Sequence, residues 1–207
     1  MYNNVVVLFM KNMTKEIALT LLEEGYQLNP GKWVQHSFSV GNIAYLIALQ
    51  MGLDAEKAQI MGYLHDIGKR FGKEATHSVS GYQFLESEGY EIDYANICMV
   101  HAYLNHDIEC TVGHPHGQTY QYRKQFVEQY EYTIYDEIIM LCDLLCKGTY
   151  VGLDNRLNDA YMRYGNPDNM GYHREQALLL KQKIENRMGI TIEQLLASNE
   201  NGIMYKK

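Results

Sequence analysis

The residues most suited to chemistry in this sequence are an adjacent imidazole and carboxylate, His65 and Asp66, within the stretch YLHDIGK at residues 63–69. The segment that begins at Asp54 has helical periodicity, and His65 falls on its apolar face. Asp54 is typical of a helix N-cap, and Gly68 is typical of a helix end. We therefore expect His65 to point inward where this helix ends, with Asp66 directly after it.

An adjacent His-Asp pair is weak evidence alone, because a core histidine oriented by a carboxylate gives the same pattern. The pair His106-Asp107 repeats it in a polar stretch, where a structural or surface role is expected. Two further residues strengthen the case for chemistry: His36 begins an apolar helical stripe, and Asp143 lies within the run LCDLLC. An ionised carboxylate among leucines is costly unless it is paired or binds a metal. Hydrogen bonds from the backbone or from tyrosine hydroxyls are the alternative for Asp143.

Together, these residues place two imidazoles and two carboxylates on the inner faces of three predicted helices: His36, His65, Asp66 and Asp143. Imidazole and carboxylate donors without a thiolate suit iron, manganese, cobalt, nickel or magnesium. Four protein ligands on a six-coordinate ion leave positions for water and substrate, as metal-assisted hydrolysis requires. The sequence therefore predicts a divalent-metal site.

The order His36, His65-Asp66 and Asp143, with LHDIGK at its centre, resembles the HD-domain metal-dependent phosphohydrolase superfamily. The resemblance covers residues 33–147 and implies an all-α helical bundle with these four residues as metal ligands. The pattern is most similar to bacterial symmetrical diadenosine-tetraphosphate hydrolases and their relatives. It implies hydrolysis of a nucleotide or another small phosphate ester or anhydride, such as a dinucleoside polyphosphate.

The same resemblance implies roles for two more histidines, because in that branch a histidine beginning the next helix and another before a variable loop face the substrate phosphates. His77 and His101 match these positions. His77 opens a predicted helix, whose free N–H groups favour phosphate. Lys69 would offset charge on the phosphoryl oxygens, with a solvated surface lysine as the alternative. We expect Lys69, His77 and His101 to bind substrate and act in catalysis, and Asp66 to orient or deprotonate the water.

The sequence does not determine whether the site holds one ion or two. In dinuclear HD enzymes, extra histidines bind a second ion, and the motif aspartate bridges the two ions. We favour one ion, because the helix N-terminus at His77 repels a second cation. Two rival functions are an HD-type diiron oxygenase and a non-catalytic nucleotide-binding regulator. Lys69 favours hydrolysis over oxidation, and the complete ligand set argues against the regulator.

Helical periodicity predicts the elements that position these residues. Predicted helices cover residues 14–26, 33–51, 54–65, 77–88, a short stretch after 93, 134–147, 154–164, 168–188 and 191–197. Thr76 and Asp93 are predicted N-caps, and Thr191 with Gln194 predicts a capping box. Residues 103–122 are polar and aperiodic, which predicts a mobile flap beside the phosphate side of the site. His114, His116 and His173 are interpreted as surface or structural residues.

Length and composition favour a single domain over residues 1–207, with the metal site in residues 33–147 and a helical extension over about 150–207. The net charge of −7 argues against general affinity for nucleic acids or anionic membranes. The four cysteines lack CxxC spacing, which favours free thiols in a reduced, cytoplasmic setting. The apolar run at residues 5–10 is too short to cross a bilayer or resemble a secretory signal. The sequence does not determine the oligomeric state.

Overall fold

Ten α-helices make up most of residues 10–72 and 76–199, which are the residues that the computed structural model describes. Within these ranges, the only β-type pairing consists of two isolated bridges, and the all-α prediction is confirmed. The run at residues 5–9 lies outside the described residues. The helices are α1 Lys15–Leu28, α2 Lys32–Gln50, α3 Ala55–Leu64, α4 His77–Ser87, α5 Ile92–Val100, α6 Tyr120–Gln129, α7 Ile134–Asp143, α8 Leu153–Tyr164, α9 Pro167–Met188 and α10 Ile192–Asn199.

The hairpin of α2 and α3 is the centre of the bundle. The two helices are joined by a short turn and pack along each other, while α7 packs against both of them. α5 joins α3 to α4 on one side, and α9 and α10 contact α7 and α2 on the other. Aliphatic side chains from these helices are fully buried between them: Ile43, Ile47, Ile60, Leu64, Ile97 and Ile138.

Two glycines allow α2 and α3 to approach this closely. A Cβ placed on Gly62 would lie 2.4 Å from the Cα and 2.6 Å from the backbone nitrogen of Gly41. A Cβ on Gly41 would lie 2.4 Å from the Tyr63 ring and 2.6 Å from the Gln59 carbonyl oxygen. Because backbone atoms cannot rotate aside, any side chain at Gly62 must push the two helices apart.

Most predicted helix ends are confirmed. The Asp54 carboxylate accepts a hydrogen bond from the Lys57 backbone N–H, and Gly189 ends α9 with φ +75°. Thr191 and Gln194 exchange the two hydrogen bonds of the predicted capping box.

Of the two other predicted caps, one is confirmed in position and one is wrong. Thr76 occupies the N-cap position of α4, although its side chain makes no capping hydrogen bond. Asp93 lies inside the first turn of α5, which follows Glu91, and its carboxylate pairs with Lys57 at 2.5 Å. A salt bridge to the neighbouring helix, rather than a cap, therefore accounts for this aspartate.

The end of α7 was also predicted too late. α7 ends at Asp143 rather than at residue 147, because the Leu145 carbonyl turns to accept the backbone N–H groups of Val151 and Gly152. The helix end consequently falls on a predicted metal ligand.

Residues 103–122 do not form the loose flap that their polarity suggested. Ile108 and Cys110 are buried in the core. The buried Arg123 guanidinium, on α6, donates hydrogen bonds to the Tyr103 hydroxyl and the Pro115 carbonyl. Asn169 of α9 donates to two further carbonyls of the segment, at 3.0 and 3.2 Å. Side-chain bonds to its backbone hold this segment, and sequence periodicity does not register such bonds.

α8 and α9 are joined by a buried polar contact. The Tyr161 hydroxyl lies 2.9 Å from His173 Nδ1 and 3.2 Å from the Met170 carbonyl oxygen. His173 is only 1% exposed, and burial lowers its pKa to about 4. It is therefore a neutral structural histidine near pH 7, not a surface residue.

The four cysteines are buried free thiols, as predicted for Cys142 and Cys146. None of the helices in the described residues combines the length and apolar character needed to cross a membrane.

We expect Gly62→Ala to lower the free energy of unfolding by about 1–3 kcal/mol, the usual cost of overpacking. Urea denaturation followed by circular dichroism measures the change. Gly171→Ala in α9 is the matched control, since a Cβ there meets no atom within 4 Å and alanine is the better helix former. An unchanged midpoint for Gly62→Ala would show that the helix contact is not as tight as described.

The stability difference between wild type and His173→Gln should depend on pH. Above pH 6.5 this histidine is neutral in both states; between pH 6.5 and 4 the unfolded chain binds the proton more tightly, so wild type loses stability as pH falls. A difference in pKa of this size lowers the free energy of unfolding of wild type by about 2 kcal/mol at pH 5. Urea denaturation of both proteins at pH 7.5 and pH 5 measures it. Parallel pH profiles would contradict a buried neutral His173.

Candidate metal centre

All the predicted chemical residues lie at or near helix ends that converge on one region. His65 directly follows α3, and His101 directly follows α5. Asp143 is the last residue of α7, and His77 is the first residue of α4. The remaining three are His36 in the second turn of α2, Asp66 before the short 3-10 helix Ile67–Phe71, and Lys69 within it.

His36, His65 and Asp143 form a first group that could hold a metal ion. One donor atom from each lies within 4.8 Å of the other two. His36 Nε2 is 2.9 Å from Asp143 Oδ1, and the side chains are 12% and 17% exposed. Three helices, α2, α3 and α7, therefore each contribute one donor.

Asp66, His77 and His101 form a second group of the same kind. Asp66 Oδ1 lies 3.2 Å from His77 Nε2 and 3.6 Å from His101 Nε2. Its other oxygen, Oδ2, lies 3.6 Å from His65 Nε2 and 2.7 Å from Lys69 Nζ. Asp66 consequently stands between the two groups, with one oxygen toward each.

The four imidazoles form a continuous row. The ring centroids are 5.2 Å apart for His36 and His65, 5.0 Å for His65 and His101, and 5.5 Å for His101 and His77. The two groups are therefore neighbours in one buried cluster.

Backbone carbonyls orient two of these rings. His65 Nδ1 lies 2.7 Å from the Gly62 oxygen, and His101 Nδ1 lies 3.0 Å from the Cys98 oxygen. An Nδ1–H that donates to a carbonyl leaves the lone pair on Nε2, the form that binds metals. His65 Nε2 is buried without a hydrogen-bond partner, and Asp66 Oδ1 lacks a well-aligned one. Buried polar atoms are normally paired, so one such atom in each group fits a cation at that group.

The electrostatics favour neutral imidazoles at His65 and His101 and ionised carboxylates at Asp66 and Asp143. Burial lowers the pKa of His65 to about 3, although Asp66 opposes this shift. Burial also opposes ionisation of Asp66, but the Lys69 ammonium and the neighbouring His65 and His77 together outweigh it and hold the pKa of that carboxyl well below its usual range. At Asp143, burial is likewise outweighed, by the hydrogen bond from His36 and the charge of Arg156. These are the protonation states that ligate a divalent cation.

The glycine of the central motif allows α4 to reach Asp66. A Cβ on Gly68 would lie 1.9 Å from the His77 carbonyl oxygen and 2.5 Å from the Gly81 backbone nitrogen. Because those neighbours are backbone atoms, the first turn of α4 could not pack here against any larger residue. Gly68 thus positions His77 as well as ending a helix.

The cluster opens into a cavity of about 620 Å³, within the usual size range of ligand sites. Leu104, Thr111 and Val112 of the packed 103–122 segment line one wall. The predicted residues that line the cavity are His36, Asp66, Lys69, His77, His101 and Asp143.

Sequence reasoning assigned helices beyond residue 150 to the nucleotide side but named none of their residues as part of the wall. The signal was present on α8, where Arg156, Ala160, Arg163 and Tyr164 fall at i, i+4, i+7 and i+8 and face the cavity together. Arg156 also donates to Asp143, with Nη2 3.3 Å from Oδ1 and Nε 3.2 Å from the carbonyl oxygen.

The other histidines have the roles that the sequence indicated. His106 stacks on Tyr132 at 3.8 Å and lies 3.1 Å from the Tyr130 carbonyl oxygen, so it is structural. His114 and His116 are exposed.

The HD domain family matches residues 33–147, which is more than half of the chain. Among curated relatives, ribonuclease Y of Thermosipho melanesiensis is 40% identical over 70 residues, covering 33% of this chain and 14% of the relative. Ribonuclease Y of Fusobacterium nucleatum is 34% identical over 99 residues, covering 46% and 20%. The chain spans a fifth or less of the length of both relatives.

A solved structure of the HD domain of the L. monocytogenes phosphodiesterase PgpH, in complex with cyclic-di-AMP, aligns with 91% of this chain and 98% of that domain. The TM-score is 0.51 at 16% identity, which indicates a shared fold. The helical architecture, the HD motif at its centre and the extent of the family match agree, and the chain belongs to the HD domain family.

Proposed function

We propose that this chain hydrolyses a phosphodiester or phosphoanhydride bond of a nucleotide, using divalent cations held by the two groups. The observation that carries the proposal is the buried His65 Nε2, which has no hydrogen-bond partner and faces the Asp66 carboxylate. A core histidine with only a structural role would have that nitrogen paired. A bound cation supplies a Lewis acid that polarises a phosphoryl oxygen and makes water nucleophilic near neutral pH.

Each group is proposed to hold one ion, with Asp66 shared between them. This differs from the one-ion preference based on sequence, which rested on repulsion by the N-terminus of α4. That repulsion is on the order of 1 kcal/mol. A second cation is also attracted to the ionised Asp66 carboxylate, whose Oδ1 lies 3.2 Å from His77 Nε2. This attraction is larger than the repulsion by the helix N-terminus, because burial reduces screening by water. His77 and His101 are therefore assigned to the second ion rather than to the phosphates alone.

The residues around the ions hold the ligands in place and attract the substrate. Lys69 contributes to keeping Asp66 ionised, and its ammonium reaches the cavity wall, where it can offset charge on the phosphoryl oxygens. Arg156 holds Asp143 from the opposite side through two hydrogen bonds. The positive charges of Lys69 and Arg156 favour an anionic substrate. The position of the cavity beside the two metal groups favours one as well.

The names of the related proteins fit this chemistry. The L. monocytogenes domain belongs to a phosphodiesterase and holds cyclic-di-AMP in its structure, and the curated relatives are named ribonucleases. The resemblance of the sequence to diadenosine-tetraphosphate hydrolases adds dinucleoside polyphosphates as the second substrate class to test.

We expect the wild-type chain to hydrolyse bis-(p-nitrophenyl) phosphate and at least one nucleotide in the presence of manganese or iron. The nucleotide panel is cyclic-di-AMP, linear dinucleotides and diadenosine tetraphosphate. His65→Ala and Asp66→Ala should each lower kcat more than about 100-fold, since each removes a metal donor. His116→Ala, at an exposed histidine, is the control. Iron-dependent oxygen consumption without phosphate-ester hydrolysis would replace this proposal with the oxygenase.

Metal analysis after dialysis should find one ion for each group. His36→Ala should lose the ion of the first group and His77→Ala that of the second, while Asp66→Ala weakens both. Plasma mass spectrometry of the dialysed proteins measures these ratios independently of turnover. One ion per chain in wild type, retained in His77→Ala, would favour the single-ion site with His77 and His101 on the phosphates.

A further inference from the structure

The wall of the cavity is strongly cationic, in contrast to the net charge of −7 on the whole chain. Its only carboxylates, among the described residues, are those of Asp66 and Asp143, which belong to the two metal groups. Five basic side chains line the same wall: Lys32, Lys69, Lys147, Arg156 and Arg163. Such a concentration of positive charge in an acidic protein indicates a ligand with more than one negative group.

Arg156 and Arg163 divide the cavity into two ends. Arg156 bonds to the metal ligand Asp143, so it belongs to the end with the metal groups. Arg163 lies two turns further along α8, about 10 Å away at 1.5 Å per residue. Ala160 lies between them on the same face and leaves the space open. This spacing along α8 provides room for a second phosphate beside the one at the metal groups.

Arg163 shares its ion-pair partner with a second cation. The Asp159 carboxylate pairs with Arg163 through one oxygen and with Lys147 through the other. Both cations line the cavity, whereas Asp159 is not part of its wall. Because two cations share one carboxylate, one positive charge is left unbalanced, and it faces the cavity.

These two cations are accessible from solvent. The side chains of Lys147 and Arg163 are 52% and 43% exposed, and ion pairs this exposed stabilise a fold by little. The Arg163 guanidinium lies 5.0 Å over the Tyr164 ring and donates to the Tyr164 hydroxyl at 3.3 Å and to the Asp159 carbonyl oxygen at 3.4 Å, so its partners besides the Asp159 carboxylate are also on α8. A phosphate can therefore replace Asp159 as the partner at a small cost.

We propose that Arg163 and Lys147 form a second phosphate subsite, which binds a phosphate of the nucleotide other than the one at the metals. This inference rests on the proposed function and adds to it a substrate class: nucleotides with at least two phosphate groups. Arg163 lies outside the residues that the HD family matches, 33–147. The subsite is thus a contribution of the C-terminal helices to specificity.

A pair of substrates with the same scissile bond tests the subsite: the dinucleotide ApA with and without a 5′-terminal phosphate. Wild type should prefer the phosphorylated form in kcat/KM. Arg163→Ala should lower kcat/KM for that form about 10- to 100-fold, as expected for one charge-assisted hydrogen bond. It should leave ApA and bis-(p-nitrophenyl) phosphate within about threefold of wild type, because Arg163 does not contact a metal ligand.

Arg174→Ala is the matched control, because Arg174 also forms an ion pair, with Asp154, but does not line this cavity. Arg163→Lys should recover part of the preference, since it restores the charge. An equal loss on both substrates, or no loss on either, would overturn the subsite.

Failure of the proposed function itself gives a different result, in which wild type cleaves none of the three compounds. Calorimetric titration with the two dinucleotides then decides the subsite without turnover. Tighter binding of the phosphorylated form by wild type, lost in Arg163→Ala, would support it. Equal affinities of wild type for the two dinucleotides would overturn it.

Discussion

A negative charge buried at Asp66 is the constraint on which the rest of the site depends. The carboxylate is almost fully removed from water, and an isolated charge in such a place costs several kcal/mol. Its two oxygens face different partners, Lys69 and His65 on one side and His77 and His101 on the other. The elements that supply these partners must therefore meet at one point, and the close packing of the 3-10 helix on α4 at Gly68 allows them to do so.

Much of this arrangement could be predicted from the sequence, because it depends on patterns among residues close together in the chain. The apolar stripes placed His36 and His65 on inner faces, and the isolated charge of Asp143 among leucines marked it for pairing. The sequence left open whether the six candidate donors form one group or two, since the answer depends on distances between helices remote in the chain. Helix α6 was missed because it lacks a continuous apolar stripe; the buried Arg123 holds it instead.

The cavity wall carries positive charge while the protein as a whole carries negative charge, and the two charges act over different distances. At physiological ionic strength, charges further apart than about 8 Å are largely screened. The overall charge of −7 acts on a long polyanion along its whole length, whereas the five cations of the wall act only inside the cavity. We therefore expect a small nucleotide to gain more from this arrangement than a long RNA chain.

The chain positions of the first group's ligands also impose an order on folding. His36 and His65 belong to the α2–α3 hairpin, whose contacts are local and carry a small entropy of loop closure. Asp143 lies 78 residues beyond His65 in the chain, and it completes the group only after α7 has packed on the hairpin. A hairpin formed alone has two imidazoles and no carboxylate from α7. An ion bound at the first group would thus bind late in folding and would mark a finished bundle rather than an early intermediate.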